Sequence, residues 1–351
     1  MNRTSLSLLV ATAGIPAQSV LTVGPGAYPD IGAAVAAASP GDIIEVATGT
    51  YPAFQVDKGV TIRGAFDATG AAPAWVIPAG QVLHVVGGGF DQVTLAGGRA
   101  TFDGTLFTTC FATPLLVDHA TAHLQDCYLS SCFNSYPTLR VVAADVTMVL
   151  TRFIATSGIV VAPLIQLDGS RLHASRCLLS YNNYPCVSAV NGATAWISDT
   201  TINQQAFGCA LQTVGSTIRT DRLQFTGAAQ GGCPTGTPGT LLGVDRPQPI
   251  QPGGSFTLQY LSAPNDFVVV FASPFLGTVD WSPFLEQPSW LDDQSAFAVT
   301  VLVADSLGRA NAAWSIPGNP AFANLTLWFK GVGGFAGWPL QASPVVGGVV
   351  R

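Results

Sequence analysis

Five segments in the middle of the chain, residues 123–129, 148–154, 173–179, 196–202 and 218–223, fall into one register. Aligned on Leu124, the equivalent positions are Val149, Ala174, Ile197 and Arg219, spaced 25, 25, 23 and 22 residues apart. Short apolar-alternating runs that return with such a period must bury their faces on the copies before and after them, which makes a solenoid. In this register Leu124 with Leu129, Val149 with Ile154, and Ile197 with Ile202 point inward and stack into ladders. Asp126, Thr151, Arg176, Asp199 and Asp221 then share one column at the bend between short strands. Aspartate at a bend satisfies backbone N–H groups through its side chain, so the column reads first as structural.

The surface of such a chain must be polar with few charges. Only 10% of the 351 residues are charged, against roughly 25% in average globular chains, and Lys58 and Lys330 are the only lysines. A net charge of −6 supplies no basic footprint for nucleic acid, and it disfavours anionic membranes. Residues 1–19 read as a short secretory signal: Arg3, an apolar run from Leu6 to Ile15, then small residues to Ser19. The other reading of this stretch is a first strand or helix cap. Nothing later is a continuous apolar run of about 20 residues, so no transmembrane span is expected.

The seven cysteines all lie at or before Cys233, and no two have a CxxC spacing, so no zinc site or other metal is expected. An exported chain with this many cysteines is expected to hold disulfides. Cys127 and Cys177 share a column with Arg152 on the rung between them, which puts them roughly 10 Å apart, beyond bridging reach. The period pairs Cys110 with Cys132 and Cys186 with Cys209, with Cys233 competing for Cys209.

Before the repeats come a short strand (residues 21–23), a Gly/Pro turn, and an alanine-rich helix between Asp30 and Ser39 with Ile31, Val35 and Ala38 on one face. Strands at 43–46 and 60–64 follow, with a turn at 48–51 between them. Val23, Gly24, Gly26, Tyr28, Ile31, Ala34, Val35, Ala37, Ala38, Pro40, Gly41, Asp42, Ile44, Val46, Gly49, Tyr51 and Ile62 carry a resemblance to the first coil of right-handed parallel β-helix proteins of the pectin lyase-like superfamily. The resemblance extends over roughly residues 20 to 240. It implies a helix laid across the open end of the solenoid, where unpaired edges and apolar core would invite aggregation. It does not imply one activity, since esterases, lyases, epimerases, copper-maturation proteins and non-enzymatic surface proteins share this coil.

A Gly/Pro/Thr linker at 231–239 leads to a second unit, 241–351, with strand-like runs at 255–260, 267–271, 298–303 and 324–329. The expectation is a small antiparallel β-sandwich, whose 305–322 segment loosely resembles a C-terminal module of secreted bacterial proteins. The fold class is thus all-β: a signal peptide (1–19), a capped right-handed parallel β-helix (20–235) and a β-sandwich (241–351).

For function, the polysaccharide-active β-helices work on a groove along one flank, with paired carboxylates for hydrolysis or a basic residue plus acid-held calcium for elimination. Asp126, Arg152, Arg176, Asp199 and Asp221 are the candidate catalytic residues, alongside Arg140, Arg219 and Arg222. Their alternating charge suits pairing between rungs better than a calcium cluster, and calcium would enter only with a lyase. Neither the tandem-Asp and Gly-His-Gly elements of polygalacturonases nor the pectin esterase signatures are present. His119 and His123 are four apart, roughly 13 Å along a strand, and read as surface or turn histidines. Tyr128, Phe133, Tyr136, Tyr181 and Tyr184 lie in turn-rich segments with Ser and Asn, where aromatic faces suit sugar rings, or simply pack on the flank. The five tryptophans Trp281, Trp290, Trp314, Trp328 and Trp338 read as sandwich core and edge. The expected role is non-catalytic binding or structure at the cell surface or outside the cell, towards polysaccharide or a cell-surface component, with no cofactor. The alternative is a lyase or glycoside hydrolase with an unfamiliar site.

Overall fold

The computed structural model describes residues 18–110, 112–131, 136–155, 162–181, 185–204, 209–227, 237–238, 241–245, 250–279, 281, 284–292, 294–319, 324–334 and 340–350. The first part is a parallel β-solenoid of about 8 turns, and antiparallel sheets follow it. A typical turn runs from Leu115–Asp118 through a bend to Ala120–Gln125, through a second bend to Tyr128–Ser131, and on to Leu139–Val142 of the next turn. Every such strand pairs in parallel with its equivalents one turn away.

The alternation of each strand decides what fills the interior. One ladder climbs through Val85, Phe102, Leu124, Met148, Ala174 and Ile197, another through Phe107, Leu129, Phe153, Leu179 and Ile202. The true steps from Leu124 are therefore 24, 26, 23 and 23 residues, ending on Thr220. Val149 and Ile154 do not face inward as expected; Met148 and Phe153 do. Val149 points out and is buried by the second unit. Arg219 likewise faces out, beside inward Thr220.

Both bends are built on left-handed backbone. Gly104, Asp126, Leu150, Arg176, Asp199 and Arg222 have φ between 49° and 65°, and His119, Ala143, Gly169, Asn191 and Gly215 between 44° and 59°. The bend column thus contains Leu150 and Arg222 rather than Thr151 and Asp221. Thr151 lies one place on, in a column Thr105–Cys127–Thr151–Cys177–Thr200 that turns inward. Thr151 Oγ1 donates to the Val149 carbonyl (3.2 Å), Thr200 Oγ1 to Ser198 (2.8 Å), and the Cys127 and Cys177 thiols to Gln125 and Ser175 (both 3.4 Å). Each bend carbonyl thereby keeps a donor inside the solenoid.

At the N-terminal end, Phe54, Phe66, Trp75, Phe90, Phe102 and Phe107 pack ring on ring, with Trp75 Nε1 donating to the Phe54 carbonyl (2.9 Å). The helix Ile31–Ala37 starts at Asp30, whose carboxylate accepts from Ala33 N–H (2.7 Å), and lays Ile31, Ala34 and Val35 against this core. Residues 48–51 are no turn; the strand Ile43–Pro52 runs through them with a register shift between Val46 and Gly49.

In the second unit, Ser255–Leu261 pairs with Gly243–Asp245 and Arg309–Ser315, while Phe267–Ser273 pairs with Phe297–Val303 and Thr326–Gly333. Phe256, Leu258 and Tyr260 of the first sheet meet Val268, Val270 and Phe329 of the second, a sandwich-like arrangement.

Cys127, Cys177 and Cys186 are free, buried thiols, so the expected Cys186–Cys209 bridge does not form. Val187 pairs with Leu211, which sets Cys186 opposite Ala210 rather than Cys209, and a one-residue offset turns side chains to opposite faces. Thr151, not Arg152, stands between Cys127 and Cys177. Cys110 and Cys209 are disulfide-bonded; Cys132 and Cys233 lie outside the described residues, as do residues 1–17 of the expected signal.

Candidate functional site

The outward face of the strands Gly98–Asp103, Ala120–Gln125, Asp145–Val149, Arg171–Ser175, Thr194–Ser198 and Thr217–Asp221 carries most of the polar candidates, and the second unit lies on it. Down its middle runs the column His84, Thr101, His123, Thr147, His173, Trp196 and Arg219. The indole of Trp328 stacks on His84 (6.3 Å between centroids, 18°) and meets His123 edge-on (5.1 Å, 84°). Lys330, two residues further along the same strand, is fully buried and donates to the Pro288 carbonyl (2.8 Å). Glu286 accepts from Trp196 Nε1 (3.1 Å) and pairs with Arg219. His123 and His173 are therefore neither surface nor turn residues, although they do share a column; His119 is the exposed one, in a bend and 2.6 Å from Asp118.

Flanking positions tie the same two units together. Gln125 makes a pair of hydrogen bonds to Gly347, donating to its carbonyl (2.9 Å) and accepting from its N–H (3.1 Å). Arg63 donates to Asn324 Oδ1 (2.9 Å), and Arg99 to the Leu276 carbonyl (2.8 Å). Three of the candidate catalytic residues belong to this seam. Arg176 pairs with Asp245 (2.5 Å). Asp199 takes Arg222 in a two-pronged pair (2.6 and 2.9 Å), and Asp221 binds both Arg222 and the Leu241 N–H (2.9 Å). Burial raises the Asp221 carboxyl above its ordinary value, against the Leu241 bond and the Arg222 charge that lower it. The carboxylates of Asp199 and Asp221 converge, but on one guanidinium, which Arg222 also anchors to the Leu241 carbonyl (2.8 Å). They hold the chain where it enters the second unit.

Asp126 is exposed in its bend, and Arg152 stands alone of the charged candidates on the next face of the solenoid. Among the described residues, no hydrogen bond or ion pair given for the second unit reaches that face. It presents Tyr128, Arg152, Leu178, Thr201 and Gln224 in one column and Ser130, Ile154, Ser180, Asn203 and Thr226 in the next but one. Tyr136 is 51% exposed. Phe133 and Tyr184 lie outside the described residues, and the side chain of Tyr181 is not among those described. Trp314 stacks in the sandwich on Phe329 (5.4 Å), whereas Trp290 and Trp328 belong to the seam.

No group of three or more His, Cys, Asp or Glu able to hold a metal occurs among the described residues, and none of their helices is long and apolar enough to cross a membrane. Sequence reasoning missed Gln125, Trp328, Lys330 and Glu286. The available signal was the phase of His84, His123 and His173, which with Thr101 and Thr147 make an outward ladder too uniform for free surface.

Fold and seam together define the class: an all-β chain in which a parallel solenoid carries an antiparallel, sandwich-like unit on its flank. No family model matches this chain, and no curated protein matches it.

Proposed function

We propose that this is a secreted or cell-surface protein of bacterial type whose solenoid binds glycan or a neighbouring surface component without catalysis. The observation that carries this reading is the commitment of Arg176 and Asp221 to Asp245 and Leu241 of the chain's own second unit, and of Asp199 to Arg222 beside them. Among the described residues this face offers Tyr128 with hydroxyl and amide side chains at Thr201, Asn203 and Gln224, groups that stack on and hydrogen-bond to sugar. The solenoid is, in this reading, right-handed and pectin lyase-like, with the helix Ile31–Ala37 as its end cap. The right hand follows the strong preference of parallel crossovers. The disulfide-bonded state of Cys110 and Cys209 is consistent with an oxidising compartment.

The test is a polysaccharide panel assayed both for retention of the protein and for release of reducing ends or unsaturated uronates, with and without calcium. Retention without release is expected, weakened about tenfold by Tyr128→Ala with Asn203→Ala. Turnover abolished by Asp199→Ala in a variant that still folds would replace this reading with an enzyme.

A further inference from the structure

Three of the chain's four histidines stand in one column, on alternate rungs, in the middle of the seam between the two units. We propose that this column is a proton-operated latch: protonation of the histidines releases the sandwich-like unit from the flank of the solenoid. The inference is independent of the binding role proposed above.

The geometry leaves a protonated imidazole nowhere to go. His84 is covered by the flat of Trp328, with Nδ1 on Thr101 Oγ1 (2.8 Å), and His123 by the same indole's edge. His173 is 0% exposed beside Trp196, and both its ring nitrogens are buried without a hydrogen-bond partner among the described residues. The second unit sets Lys330 over this end of the column.

The charged groups around the column do not compensate. On its own sheet, Asp145 is bound by Arg171 (2.6 Å), Asp221 by Arg222, and Arg99 adds a further cation; Asp103 accepts from Gln125 (3.3 Å). From the second unit come Lys330 and Glu286, and Glu286 is taken by Arg219 and by Gln341. Arg63, one rung before His84, is paired with Glu45. None of these carboxylates hydrogen-bonds to or pairs with His84 or His173.

The titration follows. Burial lowers His84 from 6.5 to about 4. It lowers His173 well below 6.5, with repulsion from Lys330 as the second cause, and it lowers Lys330 itself well below its ordinary value. In the released state these groups are solvated and regain ordinary values. For the imidazoles the released form binds more protons than the docked one as pH falls below about 6.5, so docking weakens until the docked value is passed; for Lys330 the same weakening sets in already below about 10.5. For His84 alone the full window corresponds to roughly 300-fold in the docking equilibrium.

The full chain should be titrated from pH 7.5 to 4 by small-angle scattering, tryptophan fluorescence and far-UV circular dichroism together. The expected result is a reversible increase in maximum dimension and a red shift of the buried indoles, with circular dichroism unchanged. Lys330→Met, and His84→Gln with His173→Gln, should each move the midpoint down by about one pH unit. Scattering that stays constant to pH 4, loss of circular dichroism in the same step, or an unmoved midpoint in the variants would each overturn the latch. Should the double variant not fold, hydrogen exchange of the wild-type protein decides. The Gly347 amide, which donates to Gln125 across the seam, must then speed up at least about tenfold more than the amides of Phe267–Ser273 inside the second unit on acidification, and equal acceleration overturns the proposal.

Discussion

Asp126 shows how a residue can look catalytic for a purely conformational reason. It sits at φ 49°, where most side chains crowd their own backbone and where Gly, Asn and Asp are tolerated best. Glycine occupies the same column at Gly104, and Asp199 the position three rungs on. Asp126→Asn should therefore leave stability within about 0.5 kcal/mol, while the β-branched Asp126→Val should cost about 1–2 kcal/mol. Urea unfolding of the two variants checks this. An equal loss in both would mean that the carboxylate charge, not the backbone, is what the position selects. Arg176 and Arg222 sit in the same conformation, and their ion pairs with Asp245 and Asp199 compensate for it.

At the scale of a bend, Cys127 and Cys177 alternate with Thr151 and Thr200 because S–H and O–H perform the same task, a short inward donor to a carbonyl two residues back, while Thr105 in the same column donates to the Gly87 carbonyl. Cys177→Thr should cost less than about 0.5 kcal/mol, and Cys177→Val about 1 kcal/mol through loss of the thiol's bond to the Ser175 carbonyl, which keeps only the Leu150 N–H. Burial pushes the thiols of Cys177 and Cys186 up to about 12. At pH 8 both should resist a thiol reagent until the protein is unfolded, and counting labelled thiols by mass reads the result. This element also marks the limit of what was legible. Alternation defined the rungs wherever polar residues punctuate them, as in the segment from His123 to Leu129. In Met148-Val149-Leu150 every residue is apolar, so periodicity alone could not say which one faces in. Val149 is outward and apolar only because another unit covers it. The same hidden partner explains His123, Gln125 and His173, polar, outward and buried. Local pattern records the strand, while the cover comes from residues some 200 positions later, such as Trp328 and Gly347.

For the molecule as a whole, the second unit acts as a splint across the stacked turns, gripping them from Arg63 to Arg222. A bare solenoid can lose its end turns one by one. The docked chain should instead unfold at neutral pH in one transition, with tryptophan fluorescence and far-UV circular dichroism superimposed. Arg222→Ala with Gln125→Ala should pull the two curves apart. The Gln125 amide has a further consequence. A periodic flank offers nearly the same landing place at every rung, about 4.8 Å apart, so an apolar strand could settle one step too early or too late. On the neighbouring rungs the equivalents of Gln125 are Asp103, which cannot donate to the Gly347 carbonyl, and Val149, which can neither donate nor accept. Beyond them stand Ser175, Ser198 and Asp221. One primary amide on a repeating track thus works as an index mark, giving the moving part a single address at which to stop.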